Sequence, residues 1–510
     1  MTDIVFIFEV HQPFRLKRNF FWDHEMFKRV SSDRLFDFYF DKSLDREVFN
    51  RVAGKCYLPS NRILLDAIDE HRTEKRKFEV AFSLSGIFIE QCERFNKDVL
   101  DSFKQLSETG CVEFLCQTYY HSLSSLYVEG SEFEEEVNLH RGTMRDTLKF
   151  DPVVFENTEL IYNNSIAKRV ERMGFKAIVT EGVESTLGWR SPNYVYSAKG
   201  CDRLKVLLRN YRLTDDVGFR FSARWWNQWP LTADKYASWL AATPGQCIVI
   251  FPDYETFGEH HWSESGIHDF LRHLPGEILK WDHLSFSTPS KVVDKHHAVG
   301  EINVPEKLTI SWGGVKRDVS SWLENTMQWA YHVYLQKLEP LVKESDDENL
   351  LKVWRYLQAS DHLHNMYATG GPSGKVHAYF NPFESPTHAY TSSMSVLADF
   401  ESKLRLAVIA ADHPFVFYEA EDKPTKVKAH SLRGFLKALD RVSDPSLEFH
   451  VAKGDFERWV ELSLHDPILA QELERIKESE ACGAKLREAL KEIVRKRWLL
   501  HRPSTHRPPK

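Results

Sequence analysis

One pattern recurs over the first 300 residues of the 510-residue chain and limits what it can fold into. A short apolar run, rich in β-branched and aromatic residues, ends in a polar residue able to do chemistry. Ile4–Val10 ends at His11, Phe78–Leu84 at Ser85, and Val112–Leu115 at Gln117 with His121 just beyond. Val153–Phe155 leads to Glu159, Ala177–Val179 to Glu181, Val206–Leu208 to Asn210, and Ile248–Phe251 to Asp253. Between these runs lie stretches such as Asn164–Met173 and Asp234–Ala241, whose apolar positions return every three to four residues. Strands alternating with helices predict a parallel sheet. Reactive residues at the end of every strand predict a barrel, whose active site is assembled from all strand ends. A doubly wound sheet would gather its ligands at one switch point, and no Gly-rich phosphate loop accompanies these strands.

After Ser311 the pattern changes to long helical stretches, Trp322–Leu338, Leu350–Tyr367 and Pro386–Ile409. A break near Asp412-His413-Pro414 precedes a charged segment, Glu419–Lys428. Amphipathic helices follow over Leu432–Val442, Gly454–Leu464 and Asp466 to about Arg497. The expected organisation is a barrel over residues 1–305, a helical subdomain over 306–415, a small helical domain over 425–500, and a Pro-rich basic tail, 501–510, expected to be disordered.

Composition narrows the classes. A formal charge of −7 gives no electrostatic reason to expect nucleic acid or an anionic membrane as partner. There is no apolar run of about 18 residues to span a bilayer. The N-terminus lacks a basic n-region and reads as a first strand, not a signal peptide. The 7 cysteines form no C-x-x-C pair, so neither a disulfide framework nor a thiolate zinc site is indicated, and a reducing cytoplasm is the simple expectation. A homo-oligomer is compatible with the sequence. The 14 Trp, 34 Phe and 18 Tyr are mostly core. Clusters such as Trp225-Trp226-x-x-Trp229 are also what stacks on the C–H face of a sugar.

Glu159 and Asp253 are the two strand-end carboxyls that suit glycoside cleavage, which needs one group to attack and one to protonate the leaving oxygen. Caps or ion pairs are the bland alternative for each. His11, His121, His260 and His261 allow a second reading, a metal-dependent hydrolase, but none of them pairs at the i, i+4 spacing of a helical zinc site. No metal or other cofactor is expected.

Several ordered words are more specific. His11-Gln12-Pro13, Gly110-x-Val112-Glu113-Phe114-Leu115-x-x-Thr118-Tyr119-Tyr120-His121, Asn157-Thr158-Glu159-Leu160-Ile161 and Asp253-x-Glu255-Thr256-Phe257-Gly258-Glu259 occur in sequence. They resemble the first four sequence regions of the family 57 glycoside hydrolases. Ser311-Trp312 with Asp318, Ser321-Trp322-Leu323, Asn325 and Gln328 resembles the fifth. Leu357–His362, Tyr379-Phe380-Asn381-Pro382 and Arg209–Thr232 resemble that family's α-amylase-like members. The resemblance covers about residues 1–400. It implies an incomplete seven-stranded (β/α) barrel followed by a helical bundle, with Glu159 as nucleophile and Asp253 as general acid/base. The substrate implied is an α-glucan or maltooligosaccharide, cleaved at α-1,4 or α-1,6 bonds with retention.

Near the cleavage point the expected substrate-binding residues are His11, Gln12, His121, Glu181, Glu255 and His260. Trp22, Trp226, Trp312, Asp318, Asp361 and His362 complete the expected set. Glu255, two residues beyond Asp253, could supply a like charge that keeps Asp253 protonated. Glucanotransfer or branching on the same residues, a metal-dependent polysaccharide deacetylase and a non-catalytic glycan-binding protein are the rival readings.

Overall fold

A computed structural model describes residues 1–368, 381–479 and 481–501. Tyr379 and Phe380 of the quoted word, and the tail from 502, lie outside the described residues. The chain forms two compact units. One comprises Met1–Leu16, Phe40–Ala330 and Gln358–Tyr390; the other comprises Lys17–Tyr39, Tyr331–Leu357 and Thr391–Lys510.

The first unit is built on strands β1 (Thr2–Val10), β2 (Val80–Leu84), β3 (Val112–Leu115), β4 (Val154–Glu156), β5 (Ala177–Glu181), β6 (Tyr196–Ala198), β7 (Lys205–Arg209), β8 (Cys247–Ile250), β9 (Leu284–Phe286) and β10 (Glu301–Ile302). Seven of these run parallel in the order β3-β2-β1-β8-β7-β5-β4. Between β3 and β4 the ladder shrinks to one bridge, Cys116 to Phe155, so the barrel is incomplete there. Additional short pairings are β9 beside β1, antiparallel β6 on β7, and β10 on β6.

Both faces of these strands are covered, which is why each reads as a continuous apolar run instead of an alternating one. Successive side chains still point to opposite faces. Ile4, Phe6, Phe8, Phe82 and Ile250 join a core with Phe49, Leu64, Phe103 and Ile278 of the surrounding helices. Val5, Ile7, Ala81, Leu115, Val179, Leu207 and Val249 form the inner layer. Continuing that inner face by two-residue steps reaches Glu9 and His11, Ser83, Gln117, Glu181, Arg209 and Asp253. The barrel is apolar inside and polar where its strands end.

In the second unit the helix Glu348–Tyr356 and the part of Pro386–Val408 from Thr391 precede a hairpin, β11 (Ala410–Ala420) and β12 (Lys423–Ser431). The charged segment at 419–428 therefore includes a strand the sequence reading missed. Five helices follow, from Leu432–Ala438 to Gly483–His501. They share one core with Ala411, Phe415 and Phe417 of the hairpin. No described helix is long and apolar enough to cross a membrane.

Candidate active site

Glu159 sits in a tight turn just past β4. Its backbone is left-handed, φ 61° and ψ 22°, a conformation that costs a non-glycine residue roughly 1–3 kcal/mol. Neighbours fix it there. The Asn157 amide donates to Ile161 O at 2.8 Å and to Ser125 Oγ at 2.9 Å, and Trp312 N–H donates to Glu159 O at 3.2 Å. Both carboxylate oxygens are held: Oε1 accepts from Ser360 Oγ at 2.7 Å, and Oε2 from the Trp312 indole N–H at 2.7 Å. His121 Nε2 lies 3.6 Å from Oε1. Burial alone would push this carboxyl up, but His121, Trp312 and Ser360 together hold it below the ordinary glutamate value.

Asp253 follows β8 and takes the opposite state. Burial first, then the Glu159 charge, push it up to about 7, against the pull of Arg209 and His121. The like charge beside Asp253 is thus chiefly Glu159. Glu255 does not serve as expected, since burial and Asp253 push it up to about 8, and Tyr57 O–H donates to it.

Beneath the two carboxyls lies a buried polar layer. The Gln117 amide nitrogen donates to Glu9 Oε1 at 2.9 Å and to Ser83 Oγ at 2.7 Å; Ser83 Oγ donates to Glu156 Oε2 at 2.9 Å. Burial raises Glu156 to about 7 and Glu9 well above its usual value. With its nitrogen so engaged, Gln117 presents its oxygen to His121 Nδ1 at 2.8 Å.

Of the expected residues, His11, His121, Glu159, Asp253, Glu255, His260, Trp312 and Asp361 line one cleft. The other expected residues have neighbours of their own. Gln12 is wholly buried and bonds Tyr57 and Gln12 Oε1 accepts from Arg15. Glu181 is wholly buried as well, accepting from Arg209 Nη1 and Arg317 Nη1, each at 2.8 Å. His362 is 2% exposed and packs toward Phe40. Trp226 is half-buried, edge-on to Trp239, so core packing explains it. Asp318 accepts from Ser320 N–H, a local turn contact. Trp22 belongs to the second unit, where it is exposed and edge-on to Phe21. Sequence reasoning missed Ser360, Arg209 and Glu9. Alternation from His11 reaches Glu9, Arg209 ends an apolar strand, and Ser360 stands in the word Leu357–His362 beside Asp361. Among the described residues no group of three or more His, Cys, Asp or Glu side chains is placed to hold a metal.

A parallel-strand barrel presenting one carboxyl held below its ordinary range and one pushed above it at its strand ends has the equipment of a barrel glycoside hydrolase. The model of the glycosyl hydrolase family 57 matches residues 5–305, and the chain belongs to that family. It is 48% identical over 406 residues to the "Putative alpha-amylase" of Methanocaldococcus jannaschii, covering 78% of this chain and 84% of that protein. Among solved structures it is similar to the family 57 branching enzyme of Thermococcus kodakaraensis (14% identity, 79% of this chain, 90% of that one, TM-score 0.56). The branching enzyme of Pyrococcus horikoshii is similar too (15% identity, 80% and 90%, TM-score 0.55). So is the 4-α-glucanotransferase of Thermococcus litoralis (14% identity, TM-score 0.55), where 82% of this chain spans 61% of that one. At these identities the likeness to solved structures is one of fold.

Proposed function

We propose that this glycoside hydrolase is a retaining α-glucan hydrolase that cleaves α-1,4 bonds by double displacement. The observation that carries the reading is the placing of Glu159 and Asp253 in one cleft with their pKa values shifted in opposite directions, since environments that push two pKa values apart suit a base and an acid. Glu159 attacks the anomeric carbon while Asp253 gives its proton to the departing glycosidic oxygen. The resulting glycosyl ester removes the Glu159 charge, one of the two main forces raising Asp253. Asp253, now ionised, then takes a proton from the water that frees Glu159. The α-glucan class rests on the 48% identical relative, described as a "Putative alpha-amylase".

The test is product analysis of purified protein with maltooligosaccharides, maltodextrin and pullulan, with and without chelator. New reducing ends at a chelator-independent rate are expected. Products longer than the substrate without net new reducing ends would make the enzyme a transferase. No product from any α-glucan would overturn the reading.

A further inference from the structure

Trp312 reaches Glu159 from a loop outside the barrel strands, tied at its base by the Ile310–Asp318 bridge and by Ser311 Oγ, which donates to Asp318 O at 2.6 Å and accepts from Gly313 N–H at 3.0 Å. Ser311 N–H donates to Arg317 O at 3.1 Å, and Trp312 N–H to Glu159 O at 3.2 Å. Between these bonds lie Gly313, Gly314 at φ +61° and Val315, 94% exposed. Arg317 closes the loop. Its own backbone is left-handed, φ 51°, and its guanidinium forks between two carboxylates, Nη1 to Glu181 Oε2 and Nη2 to Asp215 Oδ2, both at 2.8 Å. The Tyr211 ring lies 3.8 Å from the guanidinium carbon. Arg209 completes the figure from β7, with Nη1 on Glu181 Oε2 at 2.8 Å, Nη2 on Asp215 Oδ1 at 2.9 Å and Nε on Phe251 O at 2.8 Å.

Two arginines and two carboxylates thus form a neutral, largely buried square at the strand ends. Three of its corners belong to the barrel; the fourth, Arg317, belongs to the loop that carries Trp312. A planar fork matches two carboxylates in a way a lysine cannot, and removing one member of a buried ionic cluster leaves charge unpaired.

We propose that Arg317 is a positioning residue of the reaction, clasping the loop Ser311–Asp318 to the strand ends so that the Trp312 indole stays on Glu159. The inference rests on Glu159 acting as the ionised nucleophile. Glu159 is faced by His121, His11, Ser360, Asp253 and Glu156 as well as by Trp312. The Trp312 ring itself meets Phe251, centroids 5.9 Å apart, and the Arg209 guanidinium, 5.7 Å from its centroid; Arg317 acts on it through the loop.

The experiment measures kcat and kcat/KM against pH for Arg317→Gln, Trp312→Phe and the double variant, with thermal unfolding alongside. Arg317→Gln is expected to lower kcat by about tenfold to a hundredfold, the scale of a small misplacement in a reacting geometry. It should also move the acid limb upward by up to about one pH unit, as loss of a charge-assisted hydrogen bond to a carboxylate does. Trp312→Phe should give the same limb shift, and the double variant should be no worse than Trp312→Phe alone. Arg317→Lys, which keeps the charge, should recover only part of the rate; it also supplies the readout if the glutamine variant does not fold. A drop in unfolding temperature with an unmoved acid limb, or additive losses in the double variant, would overturn the clasp. An acid limb unmoved by Trp312→Phe itself would remove Glu159 as the titrating nucleophile and take the proposed function down with the clasp.

Discussion

The imidazole rings of His11 and His121 stack with centroids 3.9 Å apart and planes 18° apart. Two imidazolium ions would repel at this distance, and the hydrogen bonds assign the charge to one. Gln117 offers its amide oxygen, so His121 Nδ1 carries a proton; its Nε2 lies 3.6 Å from Glu159 Oε1, whose charge favours a second proton there. His11 Nδ1 is 2.7 Å from Ser85 Oγ, and its Nε2 is 2.9 Å from Asp361 Oδ2. Ser85 Oγ accepts from Phe88 N–H and still has its own proton to give to Nδ1, an arrangement that suits a neutral His11 with Nε2–H on Asp361. The directions agree. Burial would lower His121, but Glu159 and Asp361 outweigh it and raise it; burial and the His121 charge lower His11 to about 4.

Replacing His121 by Phe keeps a ring against His11 and removes the charge. Glu159 then loses a cationic partner and should titrate higher, and His11 should rise from about 4 toward its ordinary value. The expected result is a kcat/KM lower by about 10²-fold, the scale of one preorganised electrostatic group, with an acid limb moved upward. Nitrogen-15 NMR of the histidines checks the assignment: a wild-type His11 that is charged at neutral pH would refute it.

Glu159→Gln tests the nucleophile. The amide can keep its oxygen on the Trp312 N–H and turn its nitrogen toward Ser360, whose hydroxyl can rotate to accept. The fold and glucan binding should therefore survive, while turnover falls on the order of 10³-fold or more, as when a covalent nucleophile is removed. Calorimetric binding beside initial rates reads both. More than a few per cent of residual activity would dismiss Glu159 from the role.

The working form needs Glu159 ionised and Asp253 protonated. Raising pH first ionises Glu159, whose pKa lies below the ordinary glutamate value, so the rate climbs on the acid side. It should fall again as Asp253 loses its proton around 7. Because the two charges interact, the limbs belong to the pair. A bell-shaped kcat/KM profile is expected, and a rate still rising beyond pH 9 would contradict Asp253 as the acid.

Much of this was legible in the chain because a barrel strand ends where its apolar run ends, and alternation then says which residues share the inner face. His11, His121, Glu159 and Asp253 were found that way and through the ordered family words. Alternation does not say what meets a strand-end residue. Glu181 looked like a cleft residue, yet its partner Arg317 lies 136 positions downstream and turns it into a buried anchor. Ser360 touches Glu159 from 201 positions away, a pairing that its place in the word Leu357–His362 does not reveal. The hairpin strand β12 was hidden by its lysines. Thr425, Val427 and Ala429 alternate inward between Lys426 and Lys428, a period of two that the charge obscured.

That hairpin sets where the C-terminal module can be removed. Its core runs from Ala411 to Val494, so a cut near Lys428 would split β12 and uncover Phe415 and Phe417. A chain ending at Val408 keeps every residue of the cleft. It strands Glu344, which accepts from Ser431 Oγ and from His430 N–H at 2.9 Å, and which lies so close to Gly434 that a Cβ there would collide with its carboxyl. We expect turnover to persist in the truncated protein with a lower unfolding temperature and reduced solubility from the uncovered docking face. Initial rates and thermal unfolding decide it, and loss of all turnover in a folded truncation would mean that the module contributes to the site.

The stereochemical outcome discriminates most sharply. A nucleophile and an acid working on one bond stand roughly 5–5.5 Å apart, whereas an inverting pair needs about 6.5–9.5 Å to admit the attacking water. The Glu159 charge is one of the two main forces raising Asp253, which suits a close pair. Both Glu159 oxygens are also pinned by Trp312 and Ser360, as befits a group that must meet carbon along one line. Two inversions at the anomeric centre restore its configuration, so α substrate should give α product first. Proton NMR of the anomeric signal during the first minutes of hydrolysis, before mutarotation, reads this directly. A β product would mean that water attacks in a single displacement, with Glu159 then acting as a base, and the double-displacement mechanism would fall.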